Sequence, residues 1–318
     1  MRILLTRMKF IGDVVLTTPL IRSVRAAHPG GFIAYMGDAH AVSLLERNPA
    51  LNEIIPFDYG RPAVLEQTRV AALLRRRRFD VAIDLFGNPR SALLTYLSGA
   101  PVRVGPERKG RGRLYTVRVR DDGKPKTAID FHNMSLRAAG IRPTGARTEI
   151  VLGAEERERA AELLKLQGAD PAAGPVVGLH PGATWPAKRW LPERFAALAD
   201  RLAEDGCRVI LTAGTGDGDA VRAVAGAARA ATPVFTGLPL RTLAAGSCAA
   251  APLLPGRAPR ARVAAALEPE ADFGRIRMHA GRVAHRAPAP RRELVHARVA
   301  QQRVRNGIRQ RDRVRGAR

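Results

Sequence analysis

Three short segments carry residue types able to act on a ligand that bears phosphates and hydroxyls. The first is Gly12-Asp13, set between an apolar run and an amphipathic one. A glycine there lets the backbone approach a ligand, and a carboxylate is placed either to take a proton from a bound hydroxyl or to cap the following helix. The residues leave both roles open. The second is HPGATWPAKRW, residues 180–190. Its glycine-containing turn offers backbone N–H groups and the Thr184 hydroxyl to a phosphate, and Lys188 adds a point charge. The alternative is a plain loop in which Trp185 and Trp190 pack and Lys188 is solvated. The spacing differs from the P-loop pattern, which excludes that class of ATPase. The third is GTGDGD, residues 214–219, either an acidic loop for a ribose hydroxyl or a simple turn.

Each segment follows a short apolar run, so the elements around them decide what they can reach. Strands are expected at Arg2–Thr6, Phe32–Met36, Glu53–Phe57, Asp80–Leu85 and Pro101–Gly105. Helices are expected at Val14–Ala27 with a kink at Pro19, and at Ala41–Arg47, Pro62–Arg77 and Arg90–Ser98. Residues 106–128 read as a basic loop, followed by a helix over Asp130–Gly140 and a short strand over Thr148–Leu152. After a helix at Glu155–Gln167, a second alternation has strands at Val176–His180, Arg208–Ala213 and Pro233–Phe235. Its helices are Pro192–Asp205, Asp219–Ala231 and one starting at Leu240. Strands separated by helices, with runs apolar on both faces, predict parallel sheets covered on both sides. Ligands of such sheets bind beyond the carboxyl ends of the strands, where all three segments fall.

Composition bounds the alternatives. The 318 residues are 46% apolar and 26% charged, which rules out global disorder. No apolar run reaches the roughly 18–20 residues of a membrane-spanning helix. Lys9 and Asp13 interrupt the first apolar stretch, so no signal-peptide layout is expected and the chain reads as soluble and cytosolic. Two cysteines, Cys207 and Cys248, are too few for a disulfide framework or a zinc site of their own. The net charge of +24 is uneven, because residues 246–318 hold 17 Arg and no Lys against 5 acidic residues. Half of the charge thus lies in less than a third of the length. The run Arg75–Arg78 ends a helix, where cations suit the helix dipole, and reads as structural.

Taken in order, RILLTRMKFIGDVVLTTPLIRSVRAAHP, DVAIDLFGNPRSALLTYLSGAPVRVG and VVGLHPGATWPAKRWLPERFAALADRL resemble glycosyltransferase family 9, the ADP-heptose:lipopolysaccharide heptosyltransferases. The resemblance runs from residue 1 to about 245. It implies an α/β protein of two Rossmann-like domains, the GT-B type. Residues 1–150 would bind the acceptor, and 151–245 would form part of the nucleotide-sugar domain. By the same resemblance Asp13 matches the catalytic base, and Thr184 and Lys188 match positions that hold the donor diphosphate. Asp219 falls where the family usually has a longer Glu toward the ribose, and Leu238 would border the adenine. Gly12 and the basic loop residues Arg108, Lys109, Arg111 and Arg113 would meet an anionic acceptor such as Kdo carboxylates and lipid phosphates. A solvated loop is the equal alternative for those four cations. No metal and no cofactor are implied. The partners are ADP-heptose and a lipopolysaccharide core acceptor at the inner face of the inner membrane, with no specific nucleic acid.

The resemblance stops near residue 245. The family continues with a strand and an Asp-Thr-Gly-x-x-His loop for the donor diphosphate, and no such loop follows here. Ala, Arg, Pro and Gly make up 45 of the last 73 residues, the residue types of GC-rich DNA translated out of frame. A frameshift near residue 246 is therefore expected, leaving an irregular, disordered tail, an incomplete second domain and an inactive chain. A selected basic tail for nucleic acid is the competing reading, as is a pseudoenzyme keeping acceptor binding alone.

Overall fold

A computed structural model describes residues 1–250 apart from Thr184, Trp185 and Thr215. Two compact units divide between Val151 and Leu152. The first is built on strands β1 (Arg2–Thr6), β2 (Phe32–Asp38), β3 (Glu53–Phe57), β4 (Val81–Asp84), β5 (Val102–Pro106) and β6 (Val117–Val119). All pair in parallel in the order β3-β2-β1-β4-β5-β6. That is the doubly wound dinucleotide-fold order, whose direction reverses between β1 and β4.

Successive β1 side chains serve opposite faces, as a strand period of two requires. Ile3 and Leu5 join one core cluster with Ile33, Tyr35 and Ile83, beneath α2 (Thr18–Ala27) and α6 (Ala128–Ala138). Leu4 joins another with Ala34, Met36 and Ala82, beneath α4 (Ala63–Arg77) and α5 (Pro89–Leu97). Each fully buried leucine or isoleucine contributes about 1.5–3 kcal/mol by leaving water. Pro56 is exposed in β3, which is an edge strand, as a residue without an N–H requires. Arg77, in the arginine run that ends α4, pairs with Glu53 of β3 at 2.6 Å.

Three expectations need correction. The helix foreseen over Val14–Ala27 is two helices, α1 (Ile11–Leu16) and α2, because Pro19 falls in the first turn of α2 and starts a helix there. Residues 106–128, expected as a loop, contain β6, where Val117 and Val119 turn to the core while Arg118 faces out. Residues 148–152 form no strand. The segment is held by α2 side chains instead, with Thr18 Oγ1 accepting from the Glu149 N–H at 3.0 Å and Arg22 pairing with Glu149 at 2.9 Å.

The second unit holds α7 (Ala154–Leu166), β7 (Val176–Leu179), α8 (Pro192–Glu204), β8 (Arg208–Ala213), α9 (Gly218–Ala227), β9 (Val234–Thr236) and α10 (Leu240–Ala250). Its sheet is parallel, in the order β7-β8-β9. Reversed, this is the β3-β2-β1 half of the first sheet. The counterpart of the central β1 is thus β7, and among the described residues nothing pairs with its outer edge. Helix α10 continues through Gly246 to Ala250, so regular structure extends past the break expected at 246. Arg241 Nη2 donates to Glu156 Oε2 of α7 at 2.8 Å and ties the two helices together. The tail from 251, including any change of frame there, lies outside the described residues. The fold class is α/β with two Rossmann-like units of GT-B type, the second incomplete among the described residues.

Candidate active site

The first unit has a cavity of about 540 Å3 beyond the carboxyl ends of β1 and β4, at the point where strand order reverses. Arg7 lines it from the β1–α1 turn, Asp13 from α1, Leu85 and Phe86 from the loop after β4, and His132 from α6. Arg108 and Lys124 line it as well. Asp13 is the third residue of α1 rather than its cap, and its Oδ2 accepts the Phe10 N–H at 3.3 Å. The same oxygen pairs with Arg7 Nη2 at 2.7 Å, and no described residue hydrogen-bonds to Oδ1. Asp13 therefore has a structural bond and a free oxygen at once.

Arg7 is 8% exposed, and its guanidinium lies 4.3 Å from the centre of the Phe86 ring. Its main chain follows β1 so closely past Gly37 that a Cβ there would stand 2.5 Å from the Arg7 carbonyl oxygen. The Leu85–Gly87 loop is held by Asp84, wholly buried at the end of β4. Asp84 Oδ1 accepts from Phe86 N at 2.8 Å, Gly87 N at 3.0 Å and Thr6 Oγ1 at 3.2 Å. Oδ2 accepts from Ser91 Oγ and Tyr115 OH, each at 2.7 Å. Burial and the Asp84 carboxylate push the Tyr115 hydroxyl far above the usual phenol range, so it remains a donor.

His132 is 5% exposed, and neither ring nitrogen has a hydrogen-bond partner. A buried polar group left unmet costs about 1–3 kcal/mol. Burial, with the nearby Arg7 charge, lowers its pKa from 6.5 to about 4, so the ring is neutral at pH 7. The position of His132 on an apolar helix face was the signal that sequence reading passed over; Arg7 gave only a cation directly after a buried strand.

The other residues expected near an acceptor disperse. Gly12 is exposed, with open space around its Cα. Arg111 donates through Nε to the Gly87 carbonyl at 3.2 Å, bracing the loop after β4. Lys109 and Arg113 are exposed and do not line the cavity, so of the four cations only Arg108 does.

In the second unit, the loops after β7 and β8 meet. A Cβ on Gly182 would stand 2.1 Å from Asp217 Cγ, so only glycine fits beneath that carboxylate. Asp217 lies 3.8 Å from His180 Nε2 and 3.7 Å from Arg189 Nη2, and His180 Nδ1 is 2.9 Å from Thr212 Oγ1. Lys188 ends a short 3-10 turn and is exposed. Asp219 also faces solvent, its side chain 98% exposed and paired with Arg222 one turn along α9. Asp217 is thus the carboxylate set against the loop after β7. Leu238 lines an apolar cavity of about 400 Å3 together with Phe235, Ile210, Val176 and Leu164. Thr184 lies outside the described residues.

A family model described as glycosyltransferase family 9 (heptosyltransferase) matches residues 67–245. Lipopolysaccharide heptosyltransferase 2 of Escherichia coli K12 is 29% identical over 231 residues, 69% of this chain and 65% of that protein. The matched chain therefore spans less than two thirds of that relative. A family 9 glycosyl transferase from Veillonella parvula superposes with a TM-score of 0.71 at 28% identity, covering 78% of this chain and 72% of that one. The E. coli ADP-heptose lipopolysaccharide heptosyltransferase II gives 0.67 at 25% identity, covering 78% and 77%. The family model alone matches more than half of the sequence, and the chain belongs to glycosyltransferase family 9, the heptosyltransferases.

Proposed function

We propose that this chain derives from a glycosyltransferase that moves heptose from ADP-heptose to an anionic lipopolysaccharide core acceptor. The observation that carries the reading is Asp13, with one free carboxylate oxygen, in a cavity at the sheet's switch point rimmed by Arg108 and Lys124. In this reading the first unit is the acceptor domain. The two cations attract acceptor carboxylates or phosphates, and Asp13 Oδ1 takes the proton of the attacking hydroxyl. The deprotonated oxygen forms the new bond to the anomeric carbon as the bond to the diphosphate breaks, so one displacement inverts that centre.

The second unit is the donor domain. Thr184 and Lys188 hold the diphosphate, and Lys188 offsets the charge that develops on the leaving ADP without a metal. For the ribose the family resemblance points to Asp219 and the geometry to Asp217 against Gly182, with Leu238 beside the adenine. The protein would work in the cytoplasm against the inner face of the inner membrane. Among the described residues no helix is long and apolar enough to cross a membrane.

The sequence has no Asp-Thr-Gly-x-x-His loop after residue 245, and half of a donor site is missing with it. The chain as written is therefore an acceptor-binding protein without transfer activity, through a frameshift near residue 246. Two assays test this. A delipidated lipopolysaccharide core oligosaccharide should bind saturably, and ADP-heptose with that acceptor should release no ADP. Failure to bind the oligosaccharide contradicts the acceptor role; robust ADP release contradicts the inactivity.

A further inference from the structure

The cavity of the first unit offers two kinds of chemistry, and the proposed acceptor role uses only one. Arg108 and Lys124 suit anions, and Asp13 suits a hydroxyl proton. His132 remains, buried to 95%, lining the same cavity with both ring nitrogens unpartnered. The ring belongs to α6, whose Leu136 sits in the core one turn further along, so the imidazole is held on a rigid element. The charged groups acting on it are Arg7 from the turn after β1 and Asp13 from α1.

Without a proton on its second nitrogen, the ring offers one donor and one acceptor. That pair matches a hydroxyl, which also donates and accepts, and matches a carboxylate or phosphate poorly.

We propose that His132 is a specificity-determining residue for the acceptor, exchanging hydrogen bonds with a sugar hydroxyl next to the one that Asp13 deprotonates. The proposal rests on the acceptor reading of the first unit. Arg108 and Lys124 then select for charge at the rim, and His132 selects for hydroxyl pattern in the interior. A core sugar lacking that hydroxyl leaves the imidazole unmet and binds poorly.

The test is calorimetric titration of the full chain at pH 7.5 with a delipidated lipopolysaccharide core oligosaccharide. His132→Phe should weaken binding about five- to tenfold, the effect of losing one neutral hydrogen-bond partner. His132→Gln keeps a donor and an acceptor and should stay within about threefold of the parent. Ring-15N histidine signals of the unsubstituted protein supply an arm independent of how the variants fold. The signal of the bare ring nitrogen of His132 should move on saturation with the oligosaccharide.

Unchanged binding by a folded His132→Phe protein, or an unmoved ring signal at saturation, overturns the proposal and leaves the acceptor reading standing. Absence of binding by the unsubstituted, cooperatively folded protein overturns both.

Discussion

Arg7 Nη2 and Asp13 Oδ2 stand 2.7 Å apart across the turn that joins β1 to α1, with the Arg7 guanidinium laid against Phe86 from the loop after β4. One guanidinium thus links the two loops that flank the switch point of the sheet. It also occupies one oxygen of the proposed base and leaves the other toward the cavity. Arg7→Ala removes an ion pair and a cation–π contact, and should cost about 2 kcal/mol of folding stability. Urea unfolding measures this, and a loss under about 0.5 kcal/mol means that the pair is a surface contact of little weight.

Acid should destabilise the protein through His132. The folded state keeps the ring neutral down to about pH 4, whereas the unfolded chain protonates it near 6.5. Between those values the unfolded state binds more protons, so stability is complete above pH 6.5 and falls as pH is lowered toward 4, by about 3 kcal/mol in all. His132→Gln should remove this part of the pH dependence. Carboxylates act lower down: Arg69 donates to Glu66 and holds its pKa below the ordinary 4.5, so its contribution is lost only below that value. Urea midpoints at pH 7, 5.5 and 4.5 separate the two, and a variant with the parent's pH profile contradicts the assignment.

Asp84 should be the least replaceable polar residue of the first unit. It accepts five hydrogen bonds while wholly buried, and Asp84→Ala strands those donors. A loss of about 3–5 kcal/mol is expected in chemical denaturation. Because the loop it holds lines the cavity, the variant should also bind core oligosaccharide more weakly. Full stability in Asp84→Ala is the contrary result.

The donor side separates two neighbouring aspartates. Asp217 covers Gly182, while Asp219 is solvated on α9. Gly182→Ala, which drives a methyl into Asp217, should weaken binding of ADP by about tenfold or more. Asp219→Ala should change it little. Calorimetry with ADP decides, and the reverse ranking restores Asp219 as the ribose contact that the family resemblance implies.

Much of this was legible in the chain, for identifiable reasons. Runs such as ILL and VAI are apolar on both faces, and only a doubly covered parallel strand wants that, so β1 and β4 were plain. Asp13 and Lys188 stood out because they follow such strands. Strand β6 was hidden because it is three residues long and set among arginines, with two inward valines as its only mark. Arg7 and His132 were hidden for another reason. Their sequence separation is large, and their meeting depends on the β1–β4 pairing and on where α6 packs. Asp217 was hidden because its closeness to Gly182 is encoded by no spacing rule.

The central claim is that the cavity beside Asp13 receives the core acceptor. Hydrogen–deuterium exchange on the full chain, with and without saturating core oligosaccharide, tests it most directly. Protection should appear at residues 7–13, 85–87 and 121–132, and the loops at 180–190 and 214–219 should be unchanged. Protection confined to those second-unit loops, or none in the first unit at saturation, would contradict the account.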